Sequence, residues 1–331
     1  MQQRQPALKV RGLKTQFRSY DAVARAVDDV SLDLYQGETL GLVGESGCGK
    51  SVAALSIMRL IKVPPGRIWA EQIRLRELDL LQLSPKQMRA VRGGRISMIF
   101  QEPMTSLNPV YTVGSQIAEM FRVHMGMGRK ESWELSVEML AKVRIPAPEK
   151  RALEYPHQLS GGMRQRCMIA MALACNPEIL IADEPTTALD VTVQAQILDL
   201  MAVLQKEFGA AILIISHDLG VIARMAQRIM VMYAGKIVEE GPTSVFFKSP
   251  AHPYTRGLLK SVPKLGERSR FGRTRLQEIK GVVPGIFDLP PGCSFNPRCP
   301  LVMETCVEHS PPLFDQGEGH RVRCWLFEGD R

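Results

Sequence analysis

The chain has 331 residues, of which 45% are hydrophobic and 23% are charged, and its formal net charge is +8. This length and composition indicate a soluble globular protein of two or three units. No apolar run approaches the roughly 18 residues of a membrane-spanning helix, and no hydrophobic segment follows the first residues, so we expect neither a membrane span nor a secretory signal. These two expectations imply a cytosolic chain. Because disulfides are rare in the cytosol, we do not expect the seven cysteines to form structural disulfides.

Residues 7–43 contain short runs in which apolar and polar positions alternate, as in Val30–Leu34. Alternation with a period of two predicts half-buried strands, and we interpret these runs as an antiparallel β subdomain. The segment ends in Glu38–Val43, a short apolar strand that leads directly into a glycine-rich stretch. The residues after that stretch, Val52–Met58, contain no helix breaker and predict a helix.

The stretch between this strand and this helix reads Gly-Glu-Ser-Gly-Cys-Gly-Lys-Ser, and its order predicts a phosphate-binding loop. Glycine adopts a positive φ easily and lets the backbone approach a phosphate, while successive N–H groups and the helix N-terminus provide partial positive charge. Lys50 provides a full charge for the β- and γ-phosphates, and the Ser51 hydroxyl is a ligand for Mg²⁺. We therefore expect a nucleotide with Mg²⁺ to be bound by Gly44, Glu45, Ser46, Gly47, Cys48, Gly49, Lys50 and Ser51.

Three segments predict the strands of a parallel sheet, at 95–100, 178–184 and 211–217. The last two are continuous apolar runs that end in polar residues. Continuous apolar character is typical of strands that are buried on both faces. Helical patterns at 163–173 and 193–208 separate the last two strands from their neighbours, so the fold class that we predict is α/β, with ligands bound where the strands end.

Two further segments differ in character from this core. Residues 102–158 contain scattered prolines between helical stretches at 113–123 and 131–143, which predicts a helical insertion. Beyond residue 250 the sequence is rich in proline, glycine and cysteine and has the character of an appended segment. We therefore predict a nucleotide-binding domain over 1–250 and a cysteine-rich C-terminal extension over 251–331.

Polar residues follow the three predicted strands, where a bound nucleotide is expected. Asp183 ends one strand, and its carboxylate can hold Mg²⁺, while the adjacent Glu184 can orient and activate the attacking water. Gln101 follows the first of these strands and can contact both Mg²⁺ and the water. His217 follows the last strand and can hydrogen-bond the γ-phosphate. Together with Lys50, these residues predict ATP hydrolysis in which Glu184, His217 and Gln101 are catalytic.

A second glycine-containing turn narrows the choice of protein family. Ser160, Gly161 and Gly162 open a predicted helix, and such a turn is a second anion site. It lies so far from Lys50 along the chain that it suits an ATP held between two subunits. With the residues above and the stretch Ala188–Asp190, the chain resembles the ATP-binding cassette (ABC) ATPases of transporters over most of the predicted nucleotide-binding domain.

The resemblance implies a P-loop (RecA-like) core and a dimer of cassettes. Ser160 and Gly162 would grip the γ-phosphate bound by the opposite subunit, with Gly161 in the same nucleotide site, and Asp190 would communicate across the dimer. The family also places an aromatic residue shortly before the position of Ala26, where it stacks on adenine. The corresponding neighbourhood has no aromatic residue here, so Tyr20 and Phe17 are the candidates for this role.

Further motifs resemble the D-type ATPase subunits of di- and oligopeptide importers across essentially the full chain. They are Gln101–Pro109, Tyr155–Leu159, His252–Thr255, Gly281–Gly285 and Asn296–Pro300. The resemblance implies a subunit that powers peptide uptake through two separate permease subunits, with a substrate-binding protein, at the cytoplasmic face of the bacterial inner membrane. It also implies a second ATPase subunit, with a heterodimer expected and a homodimer as the alternative. ATPases of importers for nickel, glutathione or antimicrobial peptides share many of these features and are the alternative reading.

Cassette ATPases that act on DNA or on ribosomes are the competing class. Members that repair DNA or organise chromosomes insert long heptad coiled coils between the positions of Lys50 and Ser160, whereas this interval contains prolines and no sustained heptad. Members that act on ribosomes carry two cassettes in one chain, whereas each motif occurs once here. We therefore expect a transporter ATPase with no nucleic-acid partner.

Four cysteines in the C-terminal extension predict a metal site. Cys293, Cys299, Cys306 and Cys324 are separated by five, six and seventeen residues. Four thiolates can complete a 4Fe–4S cluster or a tetrahedral zinc site. The spacing lacks the short Cys-x-x-Cys pairs of zinc ribbons, and Pro300 follows Cys299 as in some ferredoxin motifs. Similar tails in the importer family also favour iron–sulfur, with zinc or simple reduced thiols as the alternatives.

Overall fold

The computed structural model describes residues 5–18, 22–101, 106–187, 189–261 and 279–329. The chain forms two compact units, each assembled from separate stretches of sequence. The first unit joins Met1–Lys9, Leu32–Thr39 and Ile73–Ile215, and the second joins Val10–Ser31, Leu40–Gln72 and Ser216–Arg331. The segment that carries the phosphate loop and the described residues of the C-terminal extension therefore belong to one unit.

The elements confirm the predicted α/β fold class. The strands are β1 Leu8–Arg18, β2 Val23–Leu34, β3 Thr39–Val43, β4 Gly66–Trp69, β5 Gln72–Leu75, β6 Leu78–Asp79, β7 Ile96–Ile99, β8 Ile179–Asp183, β9 Ala211–Ser216, β10 Arg228–Tyr233, β11 Lys236–Pro242, β12 Phe314–Asp315 and β13 Arg321–Val322. The helices are α1 Lys50–Ile57, α2 Pro85–Val91, α3 Val113–Met125, α4 Arg129–Lys142, α5 Pro148–Ala152, α6 Gly161–Leu173, α7 Val191–Phe208, α8 Leu219–Met225, α9 Thr243–Lys248, α10 Pro253–Lys260 and α11 Glu304–Glu308.

The first unit contains parallel sheet. β8 pairs in parallel with β7 on one side and with β9 on the other, so that Ile181 lies opposite Met98 and Leu213. All residues of β8 and β9 are buried. Burial on both faces explains why both sequences are continuous apolar runs, and it places Asp183 at the carboxyl end of its strand.

Helices α3, α4, α5 and α6 pack against one another in the same unit. α3 begins after Thr112, whose hydroxyl accepts a hydrogen bond from the N–H of Ser115, and ends at Gly126 in the left-handed conformation. Threonine and glycine are favoured residues for these two helix ends, because one supplies an acceptor and the other a positive φ. The helices predicted at 113–123 and 131–143 are thus observed as α3 and α4. Among the described residues, no helix is long and apolar enough to cross a bilayer.

The second unit contains the sheet that leads to the phosphate loop. β3 pairs in parallel with β10, and β10 pairs antiparallel with β11. β11 pairs with β13, and β13 pairs with β12, both antiparallel. The sequence indicates an appended extension after residue 250, whereas the structure adds its two short strands to the edge of this sheet. The strands predicted over 7–43 are observed as β1, β2 and β3, and β1 pairs antiparallel with β4, which lies outside that segment.

Candidate nucleotide site

The predicted phosphate loop joins β3 to α1, and its shape depends on glycine. Gly47 and Gly49 have φ of 79° and 106°, a region that other residues rarely adopt. A Cβ on Gly49 would lie 2.2 Å from the carbonyl oxygen of Ala26, and a Cβ on Gly44 would lie 2.2 Å from that of Met232. Backbone therefore closes on the loop at two points where no side chain fits.

Lys50 begins α1, and its ammonium group is turned onto the loop. Nζ donates to the carbonyl oxygens of Gly44, at 2.8 Å, and Glu45, at 3.0 Å, and it lies 3.7 Å from Sγ of Cys48. Lys50 is 5% exposed, whereas Ser46 is exposed to solvent at the crest of the loop. Burial raises the pKa of the Cys48 thiol, partly offset by the positive charge of Lys50. The full positive charge of Lys50 thus lies among the backbone groups of the loop.

The first unit holds the predicted catalytic carboxylate. Glu184 follows β8 with φ of 48°, a left-handed conformation that a glutamate adopts only when its surroundings impose it. Its N–H donates to the carbonyl of Ile215 at the end of β9. Its Oε2 accepts hydrogen bonds from Nε2 of Gln101, at 3.1 Å, and from Oγ1 of Thr187, at 2.8 Å. Asp183, the preceding residue, is 4% exposed.

The hydrogen bond between Gln101 and Glu184 brings two of the predicted site residues together. Thr187 and Gln165 were not predicted, although both contact this segment. Gln165 lies in α6, is 2% exposed, and donates from Nε2 to the carbonyl of Pro185. The sequence feature that could have identified Gln165 is its position three residues after the Ser-Gly-Gly turn, because this places it in the first turns of the helix that the turn opens.

The Ser-Gly-Gly turn and Asp190 lie together in the first unit. Ser160 is exposed and caps α6, where its Oγ accepts a hydrogen bond from the N–H of Met163. Asp190 caps α7, where Oδ1 accepts from the N–H of Val193 at 2.9 Å. A Cβ on Gly162 would lie 2.8 Å from Cγ1 of Val193. The glycine therefore permits close packing of the two helix starts, which brings Ser160, Gly161 and Gly162 near the residue that caps α7.

His217 lies in the second unit, exposed and directly after β9.

Two residues are the candidates for stacking on adenine. Tyr20 lies outside the described residues, whereas Phe17 is half-buried in β1 and is paired with Gly66 of β4. A Cβ on Gly66 would lie 3.2 Å from the Phe17 ring. Phe17 thus has a packing role, and its contact with adenine stays a prediction.

All seven cysteines lie in the described part of the chain as free thiols, as expected. Burial raises the pKa of Cys293, Cys299 and Cys324, the last to about 11, and mutual repulsion with neighbouring thiols of the group adds to this rise. The N–H of Cys293 donates to the carbonyl of Cys306 at 2.8 Å. The four thiols predicted as ligands are therefore near one another. They do not form a ready metal site, because nowhere in the described residues do three or more His, Cys, Asp or Glu stand close enough to hold a metal ion.

Comparison with known proteins agrees with the motifs. The ABC transporter family matches residues 27–187, and the family described as oligopeptide/dipeptide transporter, C-terminal region, matches residues 238–306. A putative peptide import ATP-binding protein of Brucella ovis is 54% identical over 97% of either chain. The dipeptide transport ATP-binding protein of Haemophilus influenzae is 51% identical over 96% of this chain and 94% of its own.

The fold has solved counterparts. An ATP-binding cassette, solved as a dimer in a post-hydrolysis state bound to ADP and Pi, is 27% identical with a TM-score of 0.63, over 71% of this chain and 98% of its own. The likeness to peptide import proteins extends over nearly the whole chain, and the likeness to the solved cassette extends over 71% of it. The chain therefore belongs to the ABC transporter family, as one of its ATPases, in the group of peptide import ATP-binding proteins.

Proposed function

We propose that this chain is the ATP-hydrolysing subunit of an importer for di- or oligopeptides. The observation that carries the proposal is the likeness to peptide import proteins over both the cassette and the C-terminal region. Importers for nickel, glutathione or antimicrobial peptides are the alternative, since their ATPases share the sequence features on which the assignment rests.

The phosphate loop is proposed to bind ATP through Gly44–Ser51. Lys50 would exchange its contacts with the loop carbonyls for the β- and γ-phosphates, because an anionic oxygen is a stronger partner for an ammonium group than a carbonyl. Ser51, Gln101 and Asp183 would hold Mg²⁺, since hydroxyl, amide and carboxylate oxygens are the ligands that this ion prefers. The ion would neutralise charge that develops on the phosphates.

Glu184 is proposed as the general base. Its carboxylate would accept a proton from the attacking water, and the hydrogen bonds from Gln101 and Thr187 fix its orientation. His217 would donate a hydrogen bond to the γ-phosphate. Ser160, Gly161, Gly162 and Asp190 would act on the ATP bound by a second ATPase subunit, in a heterodimer or, alternatively, a homodimer.

The proposed partners are two membrane permeases and, through them, a substrate-binding protein, with the ATPase at the cytoplasmic face of the membrane. Coupling would run from Gln101 through residues 102–112 into the helical insertion at 102–158; residues 102–105 lie outside the described part. The exposed side chains of Val110 and Tyr111 support a docking role for the end of this segment. The domain limits 1–250 and 251–331 belong to the same proposal.

The test uses the chain with its copurified membrane partners in vesicles. Glu184→Gln should lower ATP turnover by about 100-fold or more while ATP binding is kept, because an amide cannot accept the proton. Glu207→Gln is the matched control, since Glu207 lies at the far end of α7 and pairs with Lys142 at 3.2 Å. Wild-type turnover by the Glu184 variant would contradict the assignment. Uptake of labelled dipeptide, compared with nickel, glutathione and an antimicrobial peptide, distinguishes the substrates.

We also propose that Cys293, Cys299, Cys306 and Cys324 bind a 4Fe–4S cluster, with zinc as the alternative, after a small rearrangement of their loops. The nearness of the four thiols supports this. Iron, sulfide and zinc should be measured in anaerobically purified protein, with Cys299→Ser as the test and Cys175→Ser, a half-buried cysteine outside the group, as the control. Metal-free protein with four titratable thiols would refute both metal readings.

A further inference from the structure

Two residues of the C-terminal region reach the phosphate loop at Glu45. The guanidinium of Arg298 donates from Nη1 to Oε2, at 2.7 Å, and from Nη2 to Oε1, at 3.1 Å. The hydroxyl of Tyr254 accepts a hydrogen bond from the N–H of Glu45 at 2.9 Å. Both the side chain and the backbone of one loop residue are thus held from outside the part of the chain that matches the ABC transporter family.

Arg298 is fixed in place by further contacts. Its side chain is 4% exposed, Nε donates to the carbonyl of Lys280 at 3.1 Å, and Nη2 also donates to that of Ile279 at 3.3 Å. The guanidinium lies over the ring of Tyr233, at 5.8 Å from its centroid. The planar guanidinium, several of whose donors are already hydrogen-bonded, binds the carboxylate in one fixed geometry. The ammonium group of a lysine does not impose such a geometry.

Tyr254 is fixed as well. Its ring packs edge to face against Tyr233, with centroids 4.6 Å apart, and lies 5.5 Å from Phe295. Its helix, α10, is capped by His252, whose Nδ1 accepts a hydrogen bond from the N–H of Tyr254. The motifs His252–Thr255 and Asn296–Pro300 therefore share a structural task, since each delivers one contact to Glu45.

The charge of Glu45 makes these contacts matter for an anionic ligand. A carboxylate in a phosphate-binding loop repels phosphate, and the repulsion is strong where water is partly excluded. Arg298 neutralises this carboxylate through the two hydrogen bonds of its guanidinium. The carbonyl of Glu45 is also one of the two that receive Nζ of Lys50, so the backbone of Glu45 takes part in placing the lysine.

We propose that Arg298 and Tyr254 are positioning residues for ATP: they hold Glu45 so that its carboxylate is neutralised and the phosphate loop keeps its binding shape. The proposal rests on the phosphate-binding role proposed above for Gly44–Ser51. It assigns the C-terminal region a part in nucleotide affinity, separate from any metal bound by its cysteines.

The experiment measures the Kd of the full-length chain for MgATP by titration. Arg298→Gln leaves the Glu45 carboxylate without its partner and should raise Kd about tenfold, which corresponds to about 1.4 kcal/mol. Arg298→Lys keeps the charge but loses the fork, and should raise Kd by a smaller factor. Glu45→Gln removes the carboxylate itself, and in that background the change Arg298→Gln should raise Kd by no more than about twofold, because an amide does not repel phosphate.

The double variant Glu45→Gln with Arg298→Gln carries the decisive comparison. It should bind ATP better than Arg298→Gln alone, because the repelling charge is gone. A role in folding alone predicts the opposite, namely a double variant as weak as the single one or weaker. Tyr254→Phe keeps the ring, removes the acceptor of the Glu45 N–H, and should raise Kd about threefold.

Controls separate the two proposals. Arg321→Gln removes an arginine of the same region that pairs with Glu240 and should leave Kd unchanged. Lys50→Ala should abolish measurable binding; normal binding by this variant would refute the role of the loop itself. Loss of binding in Lys50→Ala together with wild-type Kd in both Arg298 variants would overturn only the present inference. Thermal unfolding without nucleotide identifies any variant that is misfolded. If Arg298→Gln is misfolded, the Kd of Arg298→Lys decides whether the inference holds.

Discussion

Replacing Glu239 by glutamine should destabilise the second unit in a pH-dependent way. Glu239 lies in β11 and is 1% exposed. Its carboxylate accepts hydrogen bonds from the N–H groups of Ala251 and His252, both at 2.8 Å, and contacts Nε2 of His320 at 2.9 Å. It thereby satisfies the backbone at the start of α10, the helix that carries Tyr254.

The magnitude follows from these contacts. Glutamine has one oxygen, so its NH₂ group must face an N–H that donated to the carboxylate. The variant loses at least one hydrogen bond to a charged group and leaves a buried donor unsatisfied, and together these cost about 3 kcal/mol at neutral pH. Glu77→Gln is the control, because Glu77 is a solvent-exposed partner of Arg74 and should change stability little.

The pH dependence has a definite sign. Burial alone would raise the pKa of Glu239, but the hydrogen bonds from His320 and from the backbone hold the pKa below its ordinary value of 4.5. A carboxyl group with a lowered folded pKa stabilises the protein above its unfolded pKa, and this contribution is lost as pH falls through the folded value. The stability difference between wild type and Glu239→Gln should therefore be full at about pH 7 and shrink below 4.5.

Urea unfolding of both proteins, followed by tryptophan fluorescence across this pH range, measures the difference. Trp325 of the C-terminal region, whose Nε1 donates to the carbonyl of His309, is a local reporter. An equal difference at about pH 7 and at about pH 3, or no difference at neutral pH, would refute the reasoning.

Three further predictions concern the nucleotide site and its partners. Gly49→Ala should weaken ATP binding at least about tenfold, because its Cβ would strike the carbonyl of Ala26, whereas Gly37→Ala, which has a positive φ and open space, should bind normally in the same titration. ATP turnover per chain should rise with concentration for the isolated protein, since the proposed site is completed by a second subunit; strong turnover independent of concentration would contradict this. A cysteine at Tyr111, which is 58% exposed, should crosslink to cytoplasmic loops of a permease in the assembled transporter, whereas one at Val203, 49% exposed on α7, should not; crosslinks confined to the C-terminal region would contradict the coupling route.

Sequence alone determined the elements whose causes are local. The apolar runs of β8 and β9 identify buried parallel strands, because no partly exposed strand tolerates such continuity. Ser160 and Asp190 mark helix starts, because each side chain satisfies a nearby backbone N–H. The glycines of the phosphate loop could likewise be predicted from the sequence, since the loop needs residues with a positive φ at fixed spacing.

Only the tertiary structure decided which distant residues meet. Thr187 was available beside Glu184 in the sequence, but nothing local indicated that its hydroxyl donates to that carboxylate. Glu45 and Arg298 lie 253 residues apart, and no periodicity or motif connects them. Their contact exists because β3, β10 and β11 of one sheet carry the loop and the C-terminal region into one unit, and because the ring of Tyr233 packs beside the guanidinium.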